Sequence, residues 1–198
     1  MAVTVEHDKR REKILEKALT VFMDDGFEAA TFQKIADKCG ITRTILYLYF
    51  KNKREIFTYS IKQLLLSAEK NLNAIRDDAA MKTTDKINKI LLSIFDLLEK
   101  NRQLLSVVLD YLLHISKGDA NPEERVRRRT VKLRHIFSSV IINGVKAGEL
   151  KKVNLKTAYN FLYGFVEAAI FQLVVLKRKN LDDLKNAVAY AVKQFEAV

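Results

Sequence analysis

The chain has 198 residues, 48% hydrophobic and 30% charged, with one proline, six glycines and one cysteine. That length fits one domain or a small domain joined to a larger one, and the composition excludes a collagen-like repeat, a disordered tract and a turn-rich β-sandwich. Lone Cys39 excludes an intramolecular disulfide framework or multi-cysteine metal site, and the net charge of +11 points to nucleic acid, an anionic membrane surface or an anionic ligand.

In chain order the pattern is helical. From Asp8 to Asp24, Ile14, Leu15, Ala18, Leu19 and Phe22 form one stripe, with Gly26 as C-terminal cap. Thr31 caps a short helix to about Cys39, Gly40 follows, and Thr42 caps a third helix to about Phe50. A longer helix is expected from about Lys53 to Ile75, then a linker from Asp77 to Thr84. Thr84 or Asp85 opens the next helix, with Ile87, Ile90, Leu91, Ile94, Phe95 and Leu98 on one face. Residues 104–115 are apolar almost all round and predict a central buried helix. Asn121, Pro122, Glu123 and Glu124 form a helix start, and that helix stops at Gly148. Asn154 caps another through Leu176, and Asn180 with Asp182 and Asp183 starts the last, to about Glu196. The expectation is an all-α chain of about nine helices.

Charge is unevenly spread. Residues 1–60 hold 11 Lys+Arg and 9 Asp+Glu, a net of +2, whereas residues 61–198 hold 24 and 15, a net of +9. Any nucleic-acid contact of the N-terminal part therefore rests on where its charges stand. No run approaches the ~18 apolar residues of a transmembrane helix, and MAVTVEHDKRREK has no apolar stretch of a secretory signal. A cytoplasmic protein without a membrane partner is expected.

Residues 26–53, GFEAATFQKIADKCGITRTILYLYFKNK, carry the functional signal. Two short helices separated by Gly40-Ile41-Thr42 have helix-turn-helix spacing, and glycine permits the positive φ of the turn. Ile41 is placed to anchor a three-helix core with Leu19, Phe22, Ile35 and Leu46. The second helix then presents Thr42, Arg43, Thr44 and Tyr47, a polar N-terminus suited to the ~12 Å major groove.

With Ile14, Ala18, Phe22, Gly26-Phe27, Thr31, Ile35-Ala36, Gly40-Ile41-Thr42, Leu46-Tyr47, Tyr49-Phe50, Lys53 and Ile56, the chain resembles the TetR family of bacterial transcription regulators. The Tyr-x-Tyr-Phe-x-x-Lys ending is more specific than a helix-turn-helix alone, and the length and the Gly148-Glu149-Leu150 turn resemble the family's C-terminal domain. The resemblance implies a helix-turn-helix DNA-binding domain over 1–54 and a ligand-binding and dimerisation domain over 55–198. It further implies a homodimer on a palindromic duplex operator and a small-molecule effector. Arg43 would reach a guanine; Thr42 and Thr44 would touch base edges or a thymine methyl. Tyr47, Tyr49 and Lys53 resemble phosphate clamps, with Thr31, Gln33, Lys9, Arg10 and Arg11 as further DNA contacts. The chain departs from the family where Thr44 replaces a small residue, where Ile45 lacks a hydroxyl, and where Leu48 offers only apolar contact.

Further along, Phe95, Tyr111, His114, Phe137, Tyr159, Tyr163, Glu167 and Phe171 are candidate effector-pocket residues. The basic run Arg125, Arg127, Arg128, Arg129, Lys132 and Arg134 is either a solvated face or an anion site for a carboxylate or CoA phosphates. Phe161, Gly164, Phe165 and Ala168, with Leu184, Val188, Ala191 and Phe195, are candidate dimer-interface residues of a four-helix bundle. The histidines His7, His114 and His135 have no metal-ligand spacing, no phosphate-binding glycine loop or hydrolase motif is present, and neither an enzyme nor a cofactor is expected. The rival readings are a helical interaction or ligand-carrier protein with a structural helix-turn-helix, and a ligand-independent activator or architectural DNA-binder.

Overall fold

The computed structural model describes the backbone of residues 2–116 and 122–197 and the side chains of residues 6–113 and 131–197. Nine α-helices occur among the described residues: α1 (Ala2–Ala29), α2 (Phe32–Cys39), α3 (Arg43–Tyr49), α4 (Lys53–Asp77), α5 (Thr83–Lys100), α6 (Arg102–Ser116), α7 (Pro122–Lys146), α8 (Leu155–Val174) and α9 (Asp182–Lys193). Extended pairing among them is limited to one isolated bridge, Leu150 with Glu196. No helix of the described residues is long and apolar enough to cross a membrane.

The chain divides into two compact units, residues 1–67 with 106–111 and residues 68–105 with 112–198. In the first, α1, α2 and α3 pack around Ala18, Phe22, Ile35, Ala36 and Leu46, all fully buried. The first part of α4 adds Ile56, Phe57 and Ile61. Buried Ser60 ties α4 to α1 by donating its hydroxyl to the Leu15 carbonyl at 2.9 Å. Phe22, Phe27, Phe57 and Tyr111 form a chain of ring contacts with centroids 4.4–6.0 Å apart. Gly26 lies inside α1 rather than after it. Its φ of 76° and ψ of 171° break the helix there, and a last turn carries Phe27 onto Phe57.

In the second unit α5 packs against α7, α8 and α9. Ile87, Ile90, Leu91 and Phe95 of α5 are fully buried with Phe137 and Ile141 of α7, Leu162 and Ala169 of α8 and Val188 of α9. The latter part of α4 supplies Leu72 and Ile75 to the same core.

Two helix starts draw on remote carboxylates, and the first differs by one residue from its sequence expectation. Helix α5 opens at Thr83, one residue before Thr84, and its N-cap Lys82 offers no side-chain bond. The orphan Thr83 N–H is taken instead by the Glu149 carboxylate at 2.7 Å. Helix α9 opens at Asp182, and the Leu181 N–H goes to the Glu99 carboxylate at 2.6 Å. Remote carboxylates thus do the work of local caps. The remaining Glu99 oxygen and Asp96 both accept from the Lys185 ammonium at 2.9 Å, which raises the Lys185 pKa.

Residues 104–115 are not a central buried helix. Of the described α6 side chains only Leu104 is buried, Leu105 to Leu112 are half-buried or exposed, and Leu113 is 67% exposed. High apolar content states a need for cover, which the single chain meets only in part.

Gly144 lies where α7 comes closest to the α5 start. A Cβ there would collide with the Thr83 methyl and stand 2.8 Å from Leu150. Gly144→Ala should therefore lower stability by about 1–3 kcal/mol through overpacking, against the ~1 kcal/mol helix preference for alanine; chemical denaturation measures the balance. The hydrogen bond from Thr83 holds the Glu149 carboxyl below its usual pKa. A depressed carboxylate stabilises above its unfolded pKa and is lost as pH falls through the folded one. Glu149→Ala should cost about 0.5–2 kcal/mol at neutral pH, and thermal melts of the two proteins should converge as pH falls below the usual glutamate range.

Candidate nucleic-acid interface

The turn between α2 and α3 follows from three residues. The Thr31 hydroxyl accepts from the Lys34 N–H at 3.2 Å and starts α2. Gly40 ends it at φ 69° and ψ 35°, a left-handed conformation glycine adopts without strain. The Thr42 hydroxyl accepts from the Ile45 N–H at 3.2 Å and starts α3. Ile41 is only half-buried, so Leu46 and Phe50, both at most 1% exposed, carry the anchoring of α3.

Burying Leu46 leaves Thr42, Arg43, Thr44, Tyr47 and Leu48 exposed. Arg43 and Tyr47, one turn apart, form a unit. The Arg43 Nη2 donates to the Tyr47 hydroxyl at 3.0 Å, and the guanidinium lies 5.5 Å from the Tyr47 ring centroid. Tyr47 in turn stacks on Phe32, with centroids 4.5 Å apart and planes 25° from parallel. Arg43 keeps its other N–H donors free of this contact, in the fork geometry that suits a guanine edge. Thr42 uses its oxygen as cap acceptor and retains a hydroxyl proton to donate.

The other candidates have partners too. Tyr49 stacks on His7 at 4.5 Å. The Lys53 ammonium donates to the Glu28 carbonyl at 2.9 Å and sits 4.6 Å from the Phe27 ring centroid. Gln33 donates to Asp37 at 2.7 Å. Arg11 parts from Lys9 and Arg10: its guanidinium covers the Phe50 and Tyr59 rings at 4.9 and 4.3 Å. Lys9 and Arg10 instead line a groove of about 460 Å³ together with Lys13, Lys17, Cys39 and Ile41. Lys13 and Lys17 were missed in the sequence, although Lys9, Lys13 and Lys17 recur every four residues along one helix face. Burial pushes the Cys39 thiol up, against a smaller downward pull from Lys17, so it stays protonated at neutral pH.

Of the candidate effector residues, Phe95, Phe137 and Tyr159 share the core cluster of the second unit, with Tyr163 packed against it. Phe95 and Phe137 are fully buried in the second unit's core. Tyr111 belongs to the first unit, against Phe27 and Phe57. Tyr159 stacks on Tyr163 with centroids 5.5 Å apart, and burial first, then Tyr159 and Glu167, pushes the Tyr163 hydroxyl up to about 12. Glu167 and Phe171 are exposed, and the His114 side chain lies outside the described residues. So do those of Arg125, Arg127, Arg128 and Arg129. Of that basic run, Lys132 pairs with Glu69 and Arg134 lies over Tyr159. Half of the candidate dimer interface is corrected. Leu184, Val188, Ala191 and Phe195 are buried within their own chain, because the α9 stripe fills its own core. Phe161 stays 47% exposed, and Gly164, Phe165 and Ala168 are partly exposed.

A family model described as bacterial regulatory proteins, tetR family, matches residues 14–59, the segment just described. A fatty acid metabolism regulator protein of Bacillus subtilis (strain 168) is 23% identical over 179 residues, 89% of this chain and 90% of that protein. Among solved structures, the transcriptional regulator FadR from Bacillus subtilis, in complex with stearoyl-CoA, superposes with a TM-score of 0.74 at 20% identity, over 91% of this chain and 96% of that one. A TetR transcription regulator from Haloarcula marismortui reaches a TM-score of 0.80 at 18% identity, over 96% and 99%. These two likenesses show the fold.

Two substitutions separate base reading from backbone gripping. Arg43→Ala should cost about 1–3 kcal/mol on the cognate duplex and relax one base position, with little change on random DNA. Lys53→Ala should weaken all duplexes alike and flatten the salt dependence by about one unit. Binding isotherms at several salt concentrations measure both effects.

Proposed function

We propose, from the premise that this chain belongs to the tetR family of bacterial DNA-binding transcriptional regulators, that it is a cytoplasmic homodimeric repressor released by an anionic amphipathic effector. The observation that carries the reading is the outward face of α3, where Arg43 is already held by Tyr47 and Tyr47 by Phe32. A structural helix-turn-helix has no use for an arginine braced in this way on its solvent side.

Two such faces per dimer would enter successive major grooves about 34–36 Å apart. Thr42, Arg43 and Thr44 take the bases. Tyr47, Tyr49, Lys53, Thr31 and Gln33 take the backbone, with Lys9 and Arg10 extending the grip.

The dimer contact belongs on α8. Phe161 and Phe171 expose 47% and 53% of their surface, followed by exposed Val175 and Leu176, and a Cβ at Gly164 would meet nothing within 4 Å. Together with exposed Tyr190 on α9, this is an apolar stripe with room for a second helix. A two-fold axis would pair it with its own copy as a four-helix bundle.

The effector class is supported by the +9 net charge of residues 61–198, and by the names of two relatives, a fatty acid metabolism regulator and a regulator solved with stearoyl-CoA. A fatty acid or its CoA thioester would shift the dimer towards a spacing that no longer fits the operator. It can do so only by as much as its affinities for the two states differ.

Titrating the operator-bound protein with saturated acyl chains of increasing length, free and CoA-linked, tests the effector. Release should strengthen by up to about fourfold per added methylene until the site is full. Release only by neutral or cationic aromatics would overturn the effector and leave the repressor. Sedimentation tests the dimer: Phe171→Glu should convert it to a monomer and abolish binding to a palindrome.

A further inference from the structure

Leu48 is the most exposed large apolar side chain among the described residues, at 76%. It stands on α3 between two tyrosines that are both engaged, Tyr47 with Phe32 and Arg43, and Tyr49 with His7. A merely solvated position tolerates any polar residue. Here the helix instead holds a branched hydrocarbon in water, one turn from exposed Thr44.

We propose that Leu48 reads the C5-methyl group of a thymine in the major groove, as a specificity-determining residue of the recognition helix. The inference rests on the DNA-binding reading above and adds a base to it. Thr44 and Leu48 are one helical turn apart and so are surface neighbours. Buried Leu46 and Phe50 set the roll of the helix, and the Tyr47–Phe32 stack keeps it from turning. The Cα–Cβ direction of Leu48 is thereby set outward.

Chemistry narrows what it can meet. A leucine side chain neither donates nor accepts a hydrogen bond, so it gains nothing from phosphate oxygens or from the N7, O6, N6, N4 and O4 atoms of base edges. The apolar mark in the major groove is the thymine methyl. An apolar protein surface is the other conceivable cover, but it would also cover exposed Thr44, one turn away, without pairing its hydroxyl. The major groove, where hydrogen-bonding base edges lie beside thymine methyls, accommodates both neighbours at once.

The test begins with selection of a bound duplex from a random pool by the full-length protein. Each thymine of that duplex is then replaced by uracil, which removes the C5-methyl and nothing else. Wild-type protein should lose about fourfold in affinity at one thymine per half-site, the worth of one buried methyl group. Leu48→Ala should bind the thymine and uracil duplexes equally at that position. The substitution is at an exposed site in favour of a better helix former, and its melting temperature should match wild type.

The absence of any uracil-sensitive thymine would overturn the assignment on wild-type data alone. Uracil sensitivity retained in Leu48→Ala would overturn it too and pass the methyl contact to another residue such as Thr44. Either result leaves the DNA-binding reading in place. Failure of the wild-type protein to select any duplex would remove both.

Discussion

A seven-residue helix does not stand alone in water, where isolated helices shorter than about 12–15 residues are marginal. Helix α3, from Arg43 to Tyr49, is such a helix, and whatever the protein reads depends on the rest of its unit holding it. The holding is done from both ends and from below. Gly40 turns the chain in a left-handed conformation, Thr42 caps the first turn, and Phe50 closes the last with its N–H on the Leu46 carbonyl at 3.1 Å. Leu46 and Phe50 are buried, and Arg11 lies against the Phe50 ring. Ser60 fastens α4 to α1 through the Leu15 carbonyl, which keeps the surrounding core from shearing.

The same economy extends to the side chains assigned to DNA. Thr31 and Thr42 are caps, Tyr47 is a stacked ring, Lys53 is bonded to the Glu28 carbonyl, and Gln33 is bonded to Asp37. Each is ordered before any duplex arrives. Ordering a long side chain on binding costs about 0.5–1.5 kcal/mol, so residues already in place lose less on association. None is saturated: an ammonium with one bond to a carbonyl retains two N–H donors, and a hydroxyl that accepts from a backbone N–H can still donate.

What was legible in the sequence was local chemistry. Thr31, Thr42 and Asn154 cap α2, α3 and α8 as their side chains and spacing indicate, because a cap is decided within four residues. The start of α5 shifts by one residue because its N–H partner, Glu149, lies 66 residues away. Apolar periodicity showed that the α9 stripe needs burial but not by whom. Leu184 and Val188 fill their own core, whereas Phe161 and Phe171 on α8 remain open. The outward face of α3 was readable because the turn and one buried leucine determine it. The groove lined by Lys9, Arg10, Lys13 and Lys17 was not, since its far side is Cys39 and Ile41, brought back by the fold.

The near-neutral balance of the first 60 residues, 11 cations against 9 anions, fits this division of labour. Salt dependence follows the number of phosphates neutralised rather than the net charge of the domain. On α1, Lys9, Lys13 and Lys17 share one strip, and exposed Glu12 and Glu16 fall on the strip beside it. Asp25 pairs with Lys34 at 2.9 Å, and Asp37 holds Gln33. A unit built so has few unpaired cations for DNA in general, and under the proposed reading the positioned ones would reach a duplex that matches α3. Lower non-specific affinity at a given specific affinity raises the ratio that decides occupancy among competing genomic sites. Placement of charge, with the pre-set Arg43–Tyr47 pair, therefore serves discrimination better than a larger positive sum would.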